Sequence, residues 1–272
     1  MSRRSGSEAA FGRLLETIDE RMDFETGFYN EAYLDRRITA RIRRTDAEEY
    51  DAYRRLIETD PAEREALLDS LSINVTGFFR NPEVWERLAG VIGELTETRR
   101  QVSVWSAPCA DGREPYSVAM LALDDDAIDA SRIEIIGTDI NADVLERARR
   151  GVYETSTTTD IESELAPLDD PTTYVEQDGT TFSVVDRVRS MVEFQRHDLV
   201  SGTAPGSFDI VFCRNLLIYI DAAYKEPIFE TILDGMDAGD YLVIGMTETV
   251  PVSLRDRFDP IDKRRRIYRL LE

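Results

Sequence analysis

Residues that could bind a ligand follow four short segments rich in β-branched and aromatic residues. Helical segments separate these runs, an alternation that is typical of a parallel, doubly wound sheet. The carboxyl ends of such strands share one edge of the sheet, where ligands bind. The sequence therefore predicts a site at that edge. The segments are QVSVWSA, RIEIIGTDI, MVEFQRHDL and FDIVFCRN, and the candidate residues after them are Glu114, Asp139, Asp198, Leu199, Arg214 and Asn215. A fifth run of the same kind, DYLVIGM, follows later in the chain.

The turn after the first predicted strand, SAPCADGREPYS, favours a cationic ligand group over a phosphate. Gly112 and its small neighbours let the backbone approach a ligand, but the turn lacks the G-x-G-x-x-G pattern of dinucleotide sites. The carboxylate of Glu114, which precedes Pro115, would repel a pyrophosphate and attract an amino-acid ammonium group. These features indicate S-adenosylmethionine rather than NAD.

Asp139 ends the second predicted strand, where an acidic side chain can accept hydrogen bonds from both hydroxyls of a ribose. An aspartate in this position often caps the next helix instead. Here Asn141 can supply that cap and Asp143 can complement the helix dipole, which leaves Asp139 for a ligand. Asp198 and Leu199 follow the third strand and could meet the edge and face of an adenine.

The elements that must position these residues divide the chain into two predicted domains. Helical periodicity runs from residue 8 to 95, so we expect an all-α domain over 1–95 and an α/β domain over 96–272. Asp60-Pro61 and Asn81-Pro82 are helix-start signals with a capping residue before a proline. Two β-prone runs joined at Asp178-Gly179 predict an inserted β-hairpin subdomain over about 158–190.

The composition restricts the classes of partner and chemistry. Basic residues number 33 and acidic residues 54, for a net charge of −21, and Lys225 and Lys263 are the only lysines. Such a surface repels nucleic acid and anionic membranes, and arginine in place of lysine with excess acid is typical of proteins from salt-rich cytoplasm.

One histidine and two distant cysteines argue against a metal site. No apolar run is long enough to cross a membrane, so we expect a cytoplasmic protein.

Five motifs in order, NVTGFFRNP, VWSAPCADGREPYS, GTDI, VEFQRHDL and CRNLLIY, resemble those of CheR-type chemotaxis receptor glutamate O-methyltransferases over nearly the whole chain. The resemblance implies a Rossmann-like class I S-adenosylmethionine-dependent methyltransferase domain, preceded by an all-α domain and carrying a small inserted β-subdomain. It implies S-adenosylmethionine as cofactor and S-adenosylhomocysteine as product. The implied cofactor-binding residues are Asn74, Thr76, Arg80, Glu114, Asp139, Asp198, Leu199, Arg214 and Asn215.

The resemblance also implies that Arg80 and Tyr219 stand next to the transferred methyl group. Tyr219 lies one helical turn beyond Asn215 in the sequence. We expect the loop NVTGFFR to fold over the cofactor, with Phe78 and Phe79 anchored in apolar surface and Arg80 aimed into the site. The chain departs from the usual family pattern at Arg113, where a glutamate is common, at Asp198, where an asparagine is common, and at GMTE, where GHSE is common.

Recognition of a chemoreceptor should fall to the helical domain. The segment NEAYLDRRITARIRRTD sets Arg37, Arg41 and Arg44 on one helix face, a basic stripe that could contact glutamate-rich receptor helices. The alternative is a solvated face whose arginines pair with neighbouring acids. In relatives the inserted subdomain can dock a peptide at the receptor's C-terminus, but the short connection EQDGT resembles members without that tether.

Three functions of different class are compatible with the sequence. The first is a methyltransferase acting on receptor glutamates, and the second is a methyltransferase with another protein or small-molecule target. The third is a non-catalytic module that binds the cofactor for signalling, which Arg80 and Tyr219 argue against.

Overall fold

The computed structural model describes residues 2–22, 24–71, 76–157 and 159–271, with side chains from residue 7 onward. The chain forms two compact units. The helical unit comprises residues 1–73 and 219–225, and the sheet unit comprises residues 74–218 and 226–272.

The helical unit contains four α-helices whose apolar faces share one core. Helix spacing brings Leu14 and Ile18, or Leu34 and Ile38, onto a single face, and all four are fully buried. The predicted capping role of Asp60 is confirmed, because its carboxylate accepts the backbone N–H of Ala62 at 2.9 Å. The helices are α1 (Ser2–Arg21), α2 (Glu31–Ile42), α3 (Tyr50–Thr59) and α4 (Pro61–Leu71), with a 3₁₀ turn at Thr26–Phe28.

A short segment from late in the chain completes the helical unit. The N–H of Asn30 donates to the carbonyl of Tyr219 at 2.9 Å, and the N–H of Asp221 donates to the carbonyl of Phe28 at 2.9 Å. Tyr29 and Ile220 form an antiparallel bridge between these hydrogen bonds. The backbone of 219–221 therefore pairs with the chain that leads into α2.

The sheet unit alternates strands and helices as predicted. Its strands are β1 (Val102–Ser106), β2 (Ile133–Asp139), β3 (Val152–Glu154), β4 (Val175–Asp178), β5 (Thr181–Val184), β6 (Val192–Arg196), β7 (Ile210–Cys213), β8 (Tyr241–Ile244), β9 (Phe258–Asp262) and β10 (Ile267–Leu270). Its helices are α5 (Pro82–Thr98), α6 (Arg113–Asp124), α7 (Ala142–Arg150), α8 (Ile161–Glu164), α9 (Asp186–Arg189) and α10 (Ala222–Leu233), of which residues 222–225 belong to the helical unit.

Seven strands form the main sheet in the order β6-β2-β1-β7-β8-β10-β9. The first five run parallel, so the loops after them meet at one edge, called here the carboxyl edge. The chain moves outward from β1 through β2 to β6 and then returns to β7 on the other side of β1. Strands β9 and β10 form an antiparallel hairpin, not predicted from the sequence, that extends the sheet beyond β8.

The inserted subdomain is a three-stranded antiparallel sheet in the order β3-β5-β4. Its β4–β5 hairpin confirms the one predicted at Asp178-Gly179, and Gly179 takes the left-handed conformation that the turn needs. Strand β3 also belongs to this sheet, although it lies before the predicted start at residue 158.

The boundary between the units falls at residue 73/74, not at the predicted 95/96. Helix periodicity continues through α5, which made the helical domain look longer than it is. The buried face of α5, including Trp85, Leu88 and Ile92, packs into the same core as Val102 and Val104 of β1. Amphipathicity shows that a helix has a buried face but not which core that face joins.

Among the described residues, no helix is both long and apolar enough to span a bilayer.

The helical unit contains an ion pair that predicts a large stability effect for one substitution. Glu63, which is buried, accepts from Arg41 through both oxygens at 2.7 Å and from the Tyr53 hydroxyl at 2.6 Å. In Glu63→Gln an amide NH₂ replaces one acceptor oxygen and the negative charge beside Arg41 is lost, so we expect the free energy of unfolding to fall by roughly 1.5–3 kcal/mol.

Glu58→Gln is the matched control, because Glu58 pairs with Arg54 on a partly exposed helix surface. There we expect a loss of about 0.3–0.5 kcal/mol. Equal losses for the two variants in denaturant unfolding would contradict the importance of the buried pair.

Candidate active site

The carboxyl edge brings together the residues predicted from the strand ends. Glu114 lies in the first turn of α6 after β1, Asp139 ends β2, and Asp198 and Leu199 follow β6. Arg214 and Asn215 follow β7 directly. The parallel pairing of these strands places all of them on one side of the sheet unit.

Glu114 and Arg214 form a buried ion pair at the centre of this edge. The Nη1 of Arg214 donates to Oε2 of Glu114 at 3.2 Å, and the Ser106 hydroxyl donates to Oε1 at 2.8 Å. The Arg214 side chain is only 1% exposed. Burial raises the pKa of Glu114, while the positive charge of Arg214 opposes that rise. The pair therefore fixes two charges where the β1 and β7 loops meet.

Arg214 also holds the loop that precedes α5. Its Nη2 donates to the carbonyl of Arg80 and to Oδ1 of Asn81, both at 2.9 Å, and its guanidinium lies over the Trp85 ring. The predicted helix start is confirmed, because Asn81 is the N-cap of α5 and Pro82 lies in its first turn, but the Asn81 side chain makes no capping hydrogen bond. The reason is that Arg214 takes the amide oxygen, and Asn81 adopts a left-handed conformation with φ 62°.

Arg80 is partly exposed and lies near Glu114. Its positive charge lowers the pKa of Glu114, and its carbonyl accepts from Nε1 of Trp85 at 3.1 Å as well as from Arg214. Phe78 and Phe79 are each 1% exposed, which confirms that the loop is anchored through them. The hydroxyl of Ser117 accepts the N–H of Phe79 at 2.9 Å. The backbone is thus fixed on both sides of Arg80.

Asp139 orders two loops through its carboxylate. Oδ2 accepts the N–H of Ala110 and Oδ1 accepts the N–H of Asn141, both at 3.0 Å. Asn141 caps α7 by accepting from Asp143 and Val144, as predicted. Burial raises the pKa of Asp139 to about 6, although these backbone hydrogen bonds pull it down. Each oxygen of the Asp139 carboxylate therefore already accepts a backbone hydrogen bond.

Gly112 is required for a different reason from the one predicted. It takes the left-handed conformation with φ 88°, and a Cβ there would lie 2.8 Å from Cβ of Ala148 and 2.9 Å from the Phe194 ring. Close packing of α6 on α7 and β6 demands a glycine, whether or not a ligand approaches.

Asp198 forms a local turn after β6. Its carboxylate accepts the N–H of Val200 at 2.9 Å and the hydroxyl of Ser201, and its carbonyl accepts the N–H of Gly202. Leu199 is buried. The turn fixes the orientation of both residues.

Glu248 was not predicted from the sequence, and its carboxylate holds the loop after β7. Its Oε2 accepts the N–H groups of Asn215 at 2.9 Å and Gly245 at 2.6 Å, and its Oε1 accepts that of Ile218 at 3.4 Å. Glu248 is 3% exposed, and burial raises the pKa of its carboxyl. Asn215 takes a left-handed φ of 63° in this clamp. The signal available was the GMTE motif at the end of β8, of which Glu248 is the acid.

A second charge cluster ties the inserted subdomain to the loop before Arg80. Glu164 of α8 accepts the N–H of Phe78 at 2.9 Å and pairs with Nη1 of Arg113 at 3.1 Å. Arg113 also pairs with Asp111, and its guanidinium lies over the Tyr153 ring. The departure from the family pattern at Arg113 is thus matched by an acid from the subdomain.

Other predicted residues lie elsewhere. Asn74 is outside the described residues, and Thr76 is partly exposed in the loop before Arg80. Tyr219 belongs to the helical unit, where its ring lies 4.7 Å from that of Tyr33.

The predicted basic stripe on α2 is only partly available. Arg41 donates through Nε and Nη2 to Glu63, so at this position the structure favours the alternative, an arginine paired with a neighbouring acid, over receptor contact. Arg37 lies with its guanidinium 5.4 Å from the centre of the Tyr33 ring, and its Nε has no hydrogen-bond acceptor among the described residues. Arg44 is exposed in the turn after α2.

Comparison with known proteins decides the family. Residues 74–267 match the model described as CheR methyltransferase, SAM binding domain, and residues 9–72 match the one described as CheR methyltransferase, all-alpha domain. The chain belongs to the CheR methyltransferase family. The predicted fold class is thereby confirmed, as is S-adenosylmethionine as the cofactor of this CheR-family chain.

Similar relatives are named chemotaxis protein methyltransferases. The one from Listeria monocytogenes is 29% identical over 84% of this chain and 86% of its own length. Those from Vibrio parahaemolyticus and Klebsiella aerogenes are 31% and 30% identical over 73% and 92% of this chain, and over 72% and 86% of their own lengths.

The residues at the carboxyl edge fit this cofactor. A carboxylate has about four lone-pair sites, so Asp139 can accept ribose hydroxyls beside its two backbone donors. Glu114 likewise retains acceptor capacity for an ammonium group. Both carboxylates would repel a pyrophosphate, in agreement with a sulfonium nucleoside instead of a dinucleotide.

Asp139 predicts how cofactor affinity depends on pH. Ribose hydroxyls bond more strongly to a carboxylate than to a carboxylic acid, so we expect the cofactor Kd to fall as pH rises through about 6. Asp139→Asn should raise the Kd about 10-fold and abolish this dependence, as measured by calorimetry. Without cofactor, the raised pKa of Asp139 means that the folded chain holds this proton more tightly than the unfolded chain. The free energy of unfolding should therefore decline as the pH rises from about 4 to about 6.

Asp143→Asn is the matched control, since this exposed acid lies four residues further along the chain. An equal loss of affinity in both variants, or a pH dependence that survives in Asp139→Asn, would contradict the ribose assignment.

Glu248 predicts a combined effect on folding and cofactor binding. In Glu248→Gln an amide NH₂ replaces one acceptor oxygen among three backbone donors, so we expect a loss of about 1–3 kcal/mol in unfolding free energy. Because Asn215 loses its clamp, the cofactor Kd should also rise. Glu230→Gln on the exposed face of α10 should change neither quantity, and a Glu248→Gln variant with unaltered cofactor affinity would separate Glu248 from the site.

Proposed function

We propose that this chain transfers a methyl group from S-adenosylmethionine to glutamate side-chain carboxylates of chemoreceptors, forming glutamate methyl esters for chemotactic adaptation. The names of its relatives support the chemotaxis role. The observation that carries the chemistry is a partly exposed Arg80 fixed near Glu114 at the edge where the cofactor binds.

The reaction needs no general base. A glutamate carboxylate is already ionised near neutral pH, which suits a chain with a single histidine. When bound, S-adenosylmethionine would supply a methyl group on a positively charged sulfur, so that the substrate oxygen could bond to this carbon while the electron pair of the broken carbon–sulfur bond stays on the sulfur. The opposite charges partly cancel in the transition state, so surroundings poor in water favour it over the separated ions.

The role of Arg80 is to orient the substrate carboxylate. Its carbonyl is held by Trp85 and Arg214, so the guanidinium projects from a rigid backbone. Holding the oxygen in line with the breaking bond removes much of the entropic barrier. Binding the carboxylate equally tightly before and during the reaction would give no rate, so the guanidinium must guide it without clamping it.

The helical unit is the proposed site of receptor recognition, in the cytoplasm. With Arg41 committed to Glu63, the remaining candidates on and after α2 are Arg37 and Arg44. Arg37 is partly exposed, so its terminal nitrogens could meet a receptor carboxylate, whereas its Nε is buried. Tyr219 as a second positioning group stays a prediction.

We also infer that receptors are methylated without a C-terminal peptide tether. A tethered peptide would extend the subdomain sheet, and β4 is one of its edge strands. The exposed residues Glu176 and Asp178 give that strand negative charge, which disfavours a peptide carboxylate. Tight binding of a receptor C-terminal peptide to the full chain would overturn this inference.

Arg80→Ala tests the proposed function. We expect methyl transfer from labelled cofactor to a receptor cytoplasmic fragment to fall about 100-fold in kcat with little change in cofactor Kd, because alignment is lost while the cofactor pocket persists. The label should be released by mild base, as a methyl ester is. Arg187→Ala, at an exposed position on α9, should retain full activity.

Assays in high salt match the acidic composition, which we propose reflects adaptation to a salt-rich cytoplasm. Cofactor binding without receptor labelling would point to another methyl acceptor. Full activity of Arg80→Ala would remove Arg80 from the reaction.

A further inference from the structure

Four consecutive cations form the turn of the β9–β10 hairpin. Lys263, Arg264, Arg265 and Arg266, called here the basic turn, interrupt a chain whose net charge is −21. The hairpin itself was not predicted, and within the described residues the fold engages the side chains of Arg265 and Arg266 but not those of Lys263 and Arg264. Neighbouring like charges repel, so the run costs stability unless a partner supplies the opposite charge.

The basic turn lies at the carboxyl edge of the sheet. Because β10 runs antiparallel to β8, its first residue pairs where β8 ends, and the N–H of Ile244 donates to the carbonyl of Arg266 at 3.2 Å. The Nε of Arg266 donates to the carbonyl of Met246, in the loop that leads to Glu248. The Nε of Arg265 donates to the carbonyl of Glu83, in the first turn of α5. The turn therefore adjoins the loop after β8 and the first turn of α5.

Most of the charge on the turn is not neutralised. Asp262 pairs with Arg265 at 2.9 Å and accepts the backbone N–H of Arg264. This carboxylate neutralises one of the four positive charges and leaves the other three. The Arg266 guanidinium bonds to neutral oxygens, on Met246 and Tyr268. Lys263 and Arg264 are exposed, and neither has a carboxylate within 4 Å in the described part of the chain.

The backbone of the turn is strained in a way that glycine would relieve. Arg266 adopts a left-handed φ of 58°, a region that favours glycine because it has no Cβ. An arginine at this position is therefore not explained by the conformation of the turn. Strain at a non-glycine residue beside a site is a reason to ask what its side chain does.

We propose that the basic turn is an interaction surface for an acidic protein segment, the glutamate-bearing helices of the methyl-accepting partner. This proposal rests on the proposed function and adds a second contact, on the sheet unit, to the one on α2. Extended polyanions such as nucleic acids and anionic bilayers would meet the acidic remainder of the surface, whereas a narrow acidic helix can meet the turn alone. Charges at the rim of a site steer encounter and fix register.

The test compares two charge reversals in the full chain. Arg264→Glu lies in the basic turn, and Arg100→Glu, at an exposed position just before β1, lies at the opposite edge and changes the net charge equally. With a receptor cytoplasmic fragment as methyl acceptor, Arg264→Glu should raise the KM for the fragment roughly 3- to 10-fold with unchanged saturating kcat and cofactor Kd. Arg100→Glu should leave all three unchanged. The difference in KM between the two variants should shrink as the salt concentration rises from about 0.1 M to about 1 M, since screening weakens rim charges.

Arg266→Gly separates charge from folding. It removes the strain and one charge, and with them the Arg266 hydrogen bonds to Met246 and Tyr268, so thermal stability should change little while the KM for the fragment increases. Equal KM values for Arg264→Glu and Arg100→Glu would overturn the proposal. So would loss of binding to vesicles of anionic phospholipid in Arg264→Glu with unchanged receptor kinetics, which would identify a membrane contact. If the unmodified chain labels no receptor fragment, the proposed function itself fails.

Discussion

The structure of the carboxyl edge depends on one buried ion pair, between Glu114 and Arg214. Removing either partner would leave an uncompensated charge in a water-poor interior, which is far more costly than losing a surface pair. The pair also fixes the chain: Glu114 begins α6 after β1, Arg214 follows β7, and Arg214 reaches the backbone of Arg80 and Asn81. One electrostatic requirement thereby sets the relative positions of three loops, including the one that carries the guanidinium assigned to substrate orientation.

Strained backbone gathers around the same edge. Every non-glycine residue with positive φ in the described ranges lies in a loop there: Phe79, Asn81, Ala110, Asn215 and Arg266. Asparagine tolerates this conformation, whereas Phe79 does so at a cost of about 1–2 kcal/mol. The hydrogen bonds of Arg214, Asp139 and Glu248 hold these loops in place, so buried charges on the sheet maintain geometry that the loops would not adopt alone.

The sequence predicted what local pattern determines. Runs of β-branched residues located the five parallel strands, so Glu114, Asp139 and Arg214 were found by position alone. Partnerships between distant residues were not predictable, because they depend on how helices and loops pack. Arg41 pairs with Glu63 from another helix, Arg113 pairs with Glu164 from the inserted subdomain, and Glu248 reaches back to Asn215. The domain boundary was misplaced for the same reason, since α5 shows its apolar face but not the core that it joins.

The most direct test of this account is a crystal structure of the chain with S-adenosylhomocysteine. We expect ribose hydroxyls within about 3.2 Å of the Asp139 carboxylate, the Glu114–Arg214 pair intact, and the Arg80 guanidinium facing the sulfur. A nucleoside bound away from Asp139, with Arg80 turned to bulk solvent, would contradict it.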